Sequence, residues 1–143
     1  MDVNTEYLNS VVNQLIVVAS LLAGFSIAII ANLLTDKTES KISNWIFKAT
    51  TLTASCFLIS VFGMTRIVRM TTKGYPGNVS SISLDISNHI SAVSFLLGIV
   101  FLCIVIGLFG WTKSKKMGRF TTIVGICTFL LILVTMTTIK MDA

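Results

Sequence analysis

Four long apolar runs dominate the pattern of hydrophobic and polar positions along the chain. Three of them contain no charged residue, whereas the second has Lys48 near its start and Arg66 near its end. At a rise of ~1.5 Å per residue, about twenty residues form a helix of about 30 Å, which matches the hydrocarbon layer of a bilayer. The pattern therefore predicts four transmembrane helices. These spans one to four have the approximate bounds 15–34, 46–68, 90–111 and 120–139.

The same runs predict the fold class. Backbone amides in lipid must pair within their own segment, and the runs lack the polar–apolar alternation of barrel strands. The connections are short, so we expect one membrane domain over residues 1–143, an all-α four-transmembrane-helix bundle. Asp2 and Glu6, rather than basic residues, precede span one, so we expect a permanent span and not a cleaved signal peptide.

The connection between spans two and three is the longest. It contains the turn signal Tyr75-Pro-Gly77. Ser81 to Ser87 then alternates polar and apolar residues, which is the period of an extended segment. The sequence therefore predicts a short extended stretch on the surface of the bundle or the membrane.

Composition supports a membrane protein and excludes several soluble classes. Only 12% of the 143 residues are charged, against about 25% in an average soluble domain. The mean hydropathy is +0.88, and a small domain has too much surface to hide so many apolar residues. A soluble enzyme, a nucleic-acid-binding protein and a disordered segment are therefore set aside.

The residues that carry chemistry give no enzyme signature. Cys56, Cys103 and Cys127 stand alone in the middle of predicted spans, which favours packing over redox chemistry. The single histidine, His89, cannot supply the facing pair that holds haem without oligomerisation, and we expect an interfacial or capping role for it. We therefore expect no enzyme activity, no metal and no cofactor. Proton-coupled transport is also disfavoured, because all acidic residues lie outside the spans: Asp2, Glu6, Asp36, Glu39, Asp85 and Asp142.

The distribution of basic residues predicts the orientation. One side of the membrane would hold seven of them: Lys37, Lys41, Lys48, Lys113, Lys115, Lys116 and Arg119. The other side would hold four: Arg66, Arg69, Lys73 and Lys140. The positive-inside rule then puts the first and third loops in the cytosol and both termini outside, in a plasma or bacterial inner membrane. The cluster from Lys113 to Arg119 is expected to contact lipid headgroups or a soluble protein partner.

Small and polar residues recur on helix faces. Span one has Ser20, Gly24, Ala28 and Asn32 at intervals of four. Such stripes let helices approach closely, and Ser or Thr can bond across the contact. In spans three and four we interpret the stripes as helix packing, through Gly98, Thr121, Gly125, Thr128 and Thr135.

Asn32 makes span one different. A carboxamide in hydrocarbon is costly unless it has a partner. Three environments would meet that need: the wet membrane interface, a neighbouring helix, or water in a pore.

Span one also contains Leu21-Leu22 and Gly24-Phe25, and Asp36 follows its end. With these residues, the segment from Ser20 to Asp36 resembles the pore-lining first helix of the Orai calcium channels. That family has four spans and assembles with the first helix around a central axis. The resemblance implies that Leu21, Phe25 and Ala28 line a hydrophobic pore section, and that Asn32 stands in place of the selectivity glutamate.

The chain departs from the Orai pattern in two places. Val17 stands where the family has a basic residue below the gate. Asn32 lacks the negative charge that concentrates a divalent cation, so calcium selectivity does not transfer.

Two function classes follow from the sequence. The first is an oligomeric ion channel or pore, with span one around the axis and Leu21 and Phe25 as a dewetting gate. The second is a non-conducting membrane anchor or sensor subunit for a soluble partner, for example in a bacterial defence system. The pore is favoured, because Asn32 and the Orai-like segment coincide on one helix.

Overall fold

The computed structural model describes residues 3–35, 40–72 and 81–138, and these residues form four α-helices. The prediction of an all-helical chain with four helices long and apolar enough to cross a membrane is confirmed. The four candidate membrane-spanning helices indicate a membrane protein. The helices are α1 (Val3–Thr35), α2 (Lys41–Thr71), α3 (Ser81–Lys113) and α4 (Lys115–Thr138).

The prediction of an extended segment at residues 81–87 is wrong, because these residues form the first turns of α3. Ser87 is buried, and its carbonyl accepts a hydrogen bond from the Ser91 hydroxyl at 2.7 Å. The two serines are four residues apart on one face, which is helical spacing. The predicted turn at Tyr75 to Gly77 lies outside the described residues.

The helices pack in chain order, with α2 and α3 in the middle of the row. Among the described residues, extensive contacts join α1 to α2, α2 to α3, and α3 to α4. In the most apolar stretch of α2, 33% of the residues are buried, a larger share than in any other described helix. The row therefore leaves α1 and α4 as edge helices, each with one extensive neighbour.

The centre of the core is a pair of aromatic rings between α2 and α3. Phe57 is fully buried and meets Phe95 edge to face, with 5.8 Å between the ring centroids. Gly98 makes room for this pair, because a Cβ atom there would lie 2.9 Å from the Phe57 ring. Ala19 and Ala23 of α1 belong to the same hydrophobic core.

Hydroxyl groups, and not only large apolar side chains, fill the interior of the row. Ser60 of α2 is fully buried and donates to the Ser91 carbonyl of α3 at 3.1 Å. Thr50 and Thr53 donate to carbonyls one turn earlier in α2. Each hydroxyl is thus satisfied without water, and its small size lets the helix backbones approach closely.

A tight hairpin joins α3 to α4 with Ser114 as the single non-helical residue. The Ser114 hydroxyl accepts from the Met117 amide at 3.2 Å, which caps the start of α4. Across the hairpin, the Thr121 hydroxyl donates to the Gly107 carbonyl at 3.0 Å. The Trp111 indole nitrogen donates to the Thr122 hydroxyl at 3.2 Å.

The hairpin predicts a stability difference between two glycines. A Cβ atom at Gly110 would lie 2.6 Å from the backbone carbonyl oxygen of Met117, whereas one at Gly107 would come no closer than 3.7 Å to Thr122. We expect Gly110→Ala to lower the free energy of unfolding by about 1–3 kcal/mol, the usual cost of overpacking. Gly107→Ala is the matched control, and its higher helix propensity should stabilise α3 by up to ~1 kcal/mol. Unfolding in mixed detergent micelles measures both, and equal responses would contradict the hairpin contact.

Candidate functional site

The candidate site is the outer face of α1, on the side opposite α2. The face of α1 that meets the core carries Val12, Ala19 and Ala23. Residues two positions apart on a helix point about 200° from one another. The side chains two positions after the core residues therefore point away from the row.

All four candidate pore-lining residues lie on this outer face. Phe25 is 66% exposed and Leu21 is 57% exposed, and Ala28 and Asn32 are also exposed. Intervals of four, three and four residues align them along the helix axis. The outer face thus has two large apolar residues, then a small residue, and a carboxamide near the end of the helix.

Gln14 belongs to the same face, and sequence reasoning missed it. It is exposed and lies two positions after the core residue Val12. Its position in the sequence could have identified it, because it precedes Leu21 by two helical turns and so lies on the same face. Gln14 and Asn32 are 18 residues apart, or about 27 Å along a helix. Polar side chains therefore stand at both ends of the outer face, with the apolar section between them.

The small-residue stripe of α1 also points outward. Ser20 and Gly24 are exposed, so the structure does not bring them against another helix of the same protomer. The small residues that contact the row are Ala19, Ala23 and Ser26, all of them buried.

The candidate packing residues of α3 and α4 fall into two groups. Gly98 lies against Phe57, and Gly125 faces the Cys103 carbonyl, where a Cβ atom would come within 3.0 Å. Thr121 bonds across the hairpin to α3. Thr128 and Thr135 instead are exposed, and their hydroxyls donate to carbonyls one turn earlier in α4.

The basic cluster lies around the hairpin turn. Lys113 ends α3, Lys115 begins α4, and Lys116 and Arg119 follow within α4. All four side chains are exposed. The one-residue turn holds them on rigid helix ends, where they can meet anionic headgroups or an acidic protein surface.

Accessibility of the hairpin tests the predicted orientation. In a variant with its native cysteines replaced, we expect Ser114→Cys to react with an impermeant thiol reagent only after the cells are opened. Ser114 is exposed at the turn, so access depends on the side of the membrane. Thr72→Cys is the control at the opposite end and should react in intact cells. Labelling of Ser114→Cys in intact cells would mean that the orientation is reversed.

Comparison of the chain with known protein families, characterised proteins and solved structures finds no significant match. Within residues 3–35, 40–72 and 81–138, no group of three or more His, Cys, Asp or Glu side chains is arranged to hold a metal ion. His89 is exposed inside α3, about two turns after its first residue.

Proposed function

We propose that the protein forms an oligomeric ion channel or pore in which α1 lines the central axis. One observation carries this proposal: the outer face of the edge helix α1 presents Leu21, Phe25, Ala28 and Asn32 in one exposed line. Because α1 contacts α2 extensively and leaves its other side open, copies can meet through α1 without changing the fold of the protomer.

The order of side chains along this face suits a gated pore. Gln14 and Asn32 would form polar rings near the two membrane surfaces, while Leu21 and Phe25 would form an apolar constriction between them. A narrow apolar ring expels water and so stops ions at rest. Gly24, with open space around it, would allow neighbouring α1 helices to approach closely.

The resemblance to the Orai channels supports the same arrangement. It assigns Leu21, Phe25 and Ala28 to the hydrophobic pore section, and these residues share the outer face. Asn32 takes the position of the selectivity glutamate, and a ring of carboxamides carries no net charge. We therefore propose a pore without calcium selectivity, in a plasma or bacterial inner membrane, with the hairpin in the cytosol.

Cross-linking tests whether α1 meets α1 of other copies. In a background without native cysteines, we expect Leu21→Cys to form disulfide-linked dimers in membranes under oxidising conditions, because Leu21 would face the axis. Leu131→Cys is the matched control, since Leu131 is 68% exposed on the other edge helix, α4. Native mass measurements in lipid nanodiscs should give a homo-oligomer. A monodisperse monomer, or equal cross-linking at both positions, would contradict the proposal.

A second function is favoured by a different observation. The four exposed cations from Lys113 to Arg119 form a compact basic surface at the hairpin between α3 and α4. If this surface binds a soluble partner, the protein would be a non-conducting anchor or sensor subunit for that partner. The two proposals differ in ion flux, because only the pore conducts.

A further inference from the structure

The C-terminal end of α2 carries a second polar feature, far along the chain from the face proposed to line the pore. A groove of about 480 Å³ lies there, lined by Phe62, Thr65, Arg66, Arg69 and Met70. Both arginines and Phe62 are exposed. The core residues of this part of α2 are Ser60, Met64 and Ile67, so the groove opens on the side away from the core.

The two arginines are arranged to bind one anionic group together. They are three residues apart on a helix, which puts their Cβ atoms about 5–6 Å apart. Within the described part of the chain, no carboxylate pairs with either guanidinium group. A guanidinium group presents planar paired donors that match phosphate oxygens, and it is always charged.

The position along α2 indicates where this anion would come from. Arg69 and Arg66 lie two and five residues before the end of α2 at Thr71, about 3 Å and 8 Å along the helix. That is the depth of the headgroups for a helix that crosses the membrane. Phe62 lies one turn further into the membrane and is 74% exposed, so it offers an apolar surface to an acyl chain.

We propose that this groove is a binding site for the phosphate of an anionic phospholipid. Arg66 and Arg69 hold the phosphate oxygens, and Phe62 contacts the first part of an acyl chain. Anionic lipids are preferred over zwitterionic ones, because a choline group would bring a positive charge towards two guanidinium groups. The site binds lipid from the leaflet opposite the basic hairpin.

Competition between lipids tests this site. The protein is purified in detergent with equal amounts of phosphatidylglycerol and phosphatidylcholine of matched chain length, and bound lipid is counted by native mass spectrometry. We expect the wild type to retain phosphatidylglycerol preferentially. Arg66→Gln with Arg69→Gln should reduce that retention about tenfold. Arg66→Lys with Arg69→Lys keeps the charge but loses the paired donors, and should give an intermediate value.

The matched control removes two charges at the other end of α2. Lys41→Gln with Lys48→Gln should leave the retention of phosphatidylglycerol unchanged. Equal loss in this control would overturn the proposal, since it would show only a general effect of charge. Unchanged retention in the double arginine variant would also overturn it. If that variant fails to fold, Arg66→Gln and Arg69→Gln are measured singly, and each should retain less phosphatidylglycerol than the wild type.

Thermal stability separates the lipid from a free anion. A short-chain phosphatidylglycerol should raise the Tm of the wild type and not that of the double glutamine variant. Inorganic phosphate alone should have little effect, because it lacks the acyl chain that contacts Phe62. An equal rise with inorganic phosphate would overturn the lipid as the ligand.

Discussion

Replacing Phe25 with serine should open the proposed pore and let ions leak across the membrane. Phe25 is the most exposed large side chain in the apolar section of the α1 outer face. In a ring of α1 helices it would form the narrowest apolar constriction, where water is expelled. Serine is small and forms hydrogen bonds to water, so it would let the ring hydrate. We expect resting ion flux to rise about tenfold or more, which corresponds to a decrease of ~1.4 kcal/mol in the free-energy barrier to permeation.

The measurement is ion flux into liposomes that contain matched amounts of assembled protein. Phe120→Ser is the matched control, because Phe120 is 63% exposed but lies on α4 and not on the proposed axis. It should leave the flux at the level of the wild type. If Phe25→Ser oligomers are intact and give no flux, the pore proposal is wrong and the anchor subunit becomes the better explanation.

The number and position of the helices follow from the sequence because the signal is strong. Uncharged runs of about twenty residues can be satisfied in lipid only as helices. The seven residues from Ser81 to Ser87 gave a wrong prediction of an extended segment. Their polar–apolar alternation is too short to determine the backbone conformation next to the long helix that follows. Once span three is helical, adding preceding residues costs little, since propagation is far easier than nucleation.

The inner and outer faces of α1 could not be distinguished from the sequence. Small residues occur on both sides of this helix: Ala19 and Ala23 face the row, and Ser20 and Gly24 face outward. A stripe of small residues shows that a close approach is possible, but not which helix approaches. The alignment of Leu21, Phe25 and Asn32 did follow from the sequence, because it depends only on helical periodicity.

The sequence of α2 indicates its central position through small hydroxyl residues and not through its hydropathy. The second run is the one interrupted by Lys48 and Arg66, yet α2 has the largest buried share of the described helices. Its interior side carries the small residues Thr50, Thr53 and Ser60. The two threonine hydroxyls donate to carbonyls of α2, and the Ser60 hydroxyl donates to a carbonyl of α3. In a membrane, lipid already solvates apolar side chains, so small hydroxyl residues are a better sign of a helix interface than hydrophobicity.

Replacing Asn32 with aspartate should make the proposed pore select cations. Asn32 is exposed at the end of the α1 outer face, where the copies would converge around the axis. The substitution changes one amide group to a carboxylate in each subunit and hardly alters its size. A ring of negative charge attracts cations and repels anions. We expect the potassium-to-chloride permeability ratio, measured from reversal potentials in planar bilayers, to rise several-fold.

Because the expected cation selectivity arises from charge, it should depend on salt concentration and on pH. It should weaken as salt rises from about 0.1 to 1 M, because the Debye length falls from about 10 Å to 3 Å. It should also be lost in acid as the carboxylates take up protons.

Asn44→Asp is the matched control for this substitution. Asn44 is exposed in the first turn of α2, which follows the end of α1 that carries Asn32. It does not belong to the outer face of α1, so its carboxylate should leave the permeability ratio unchanged. If α1 only packs against another helix, Asn32→Asp would bury an unpaired charge and impair assembly without changing selectivity. A shift confined to Asn32→Asp in intact oligomers therefore separates an axis-lining α1 from a packing helix.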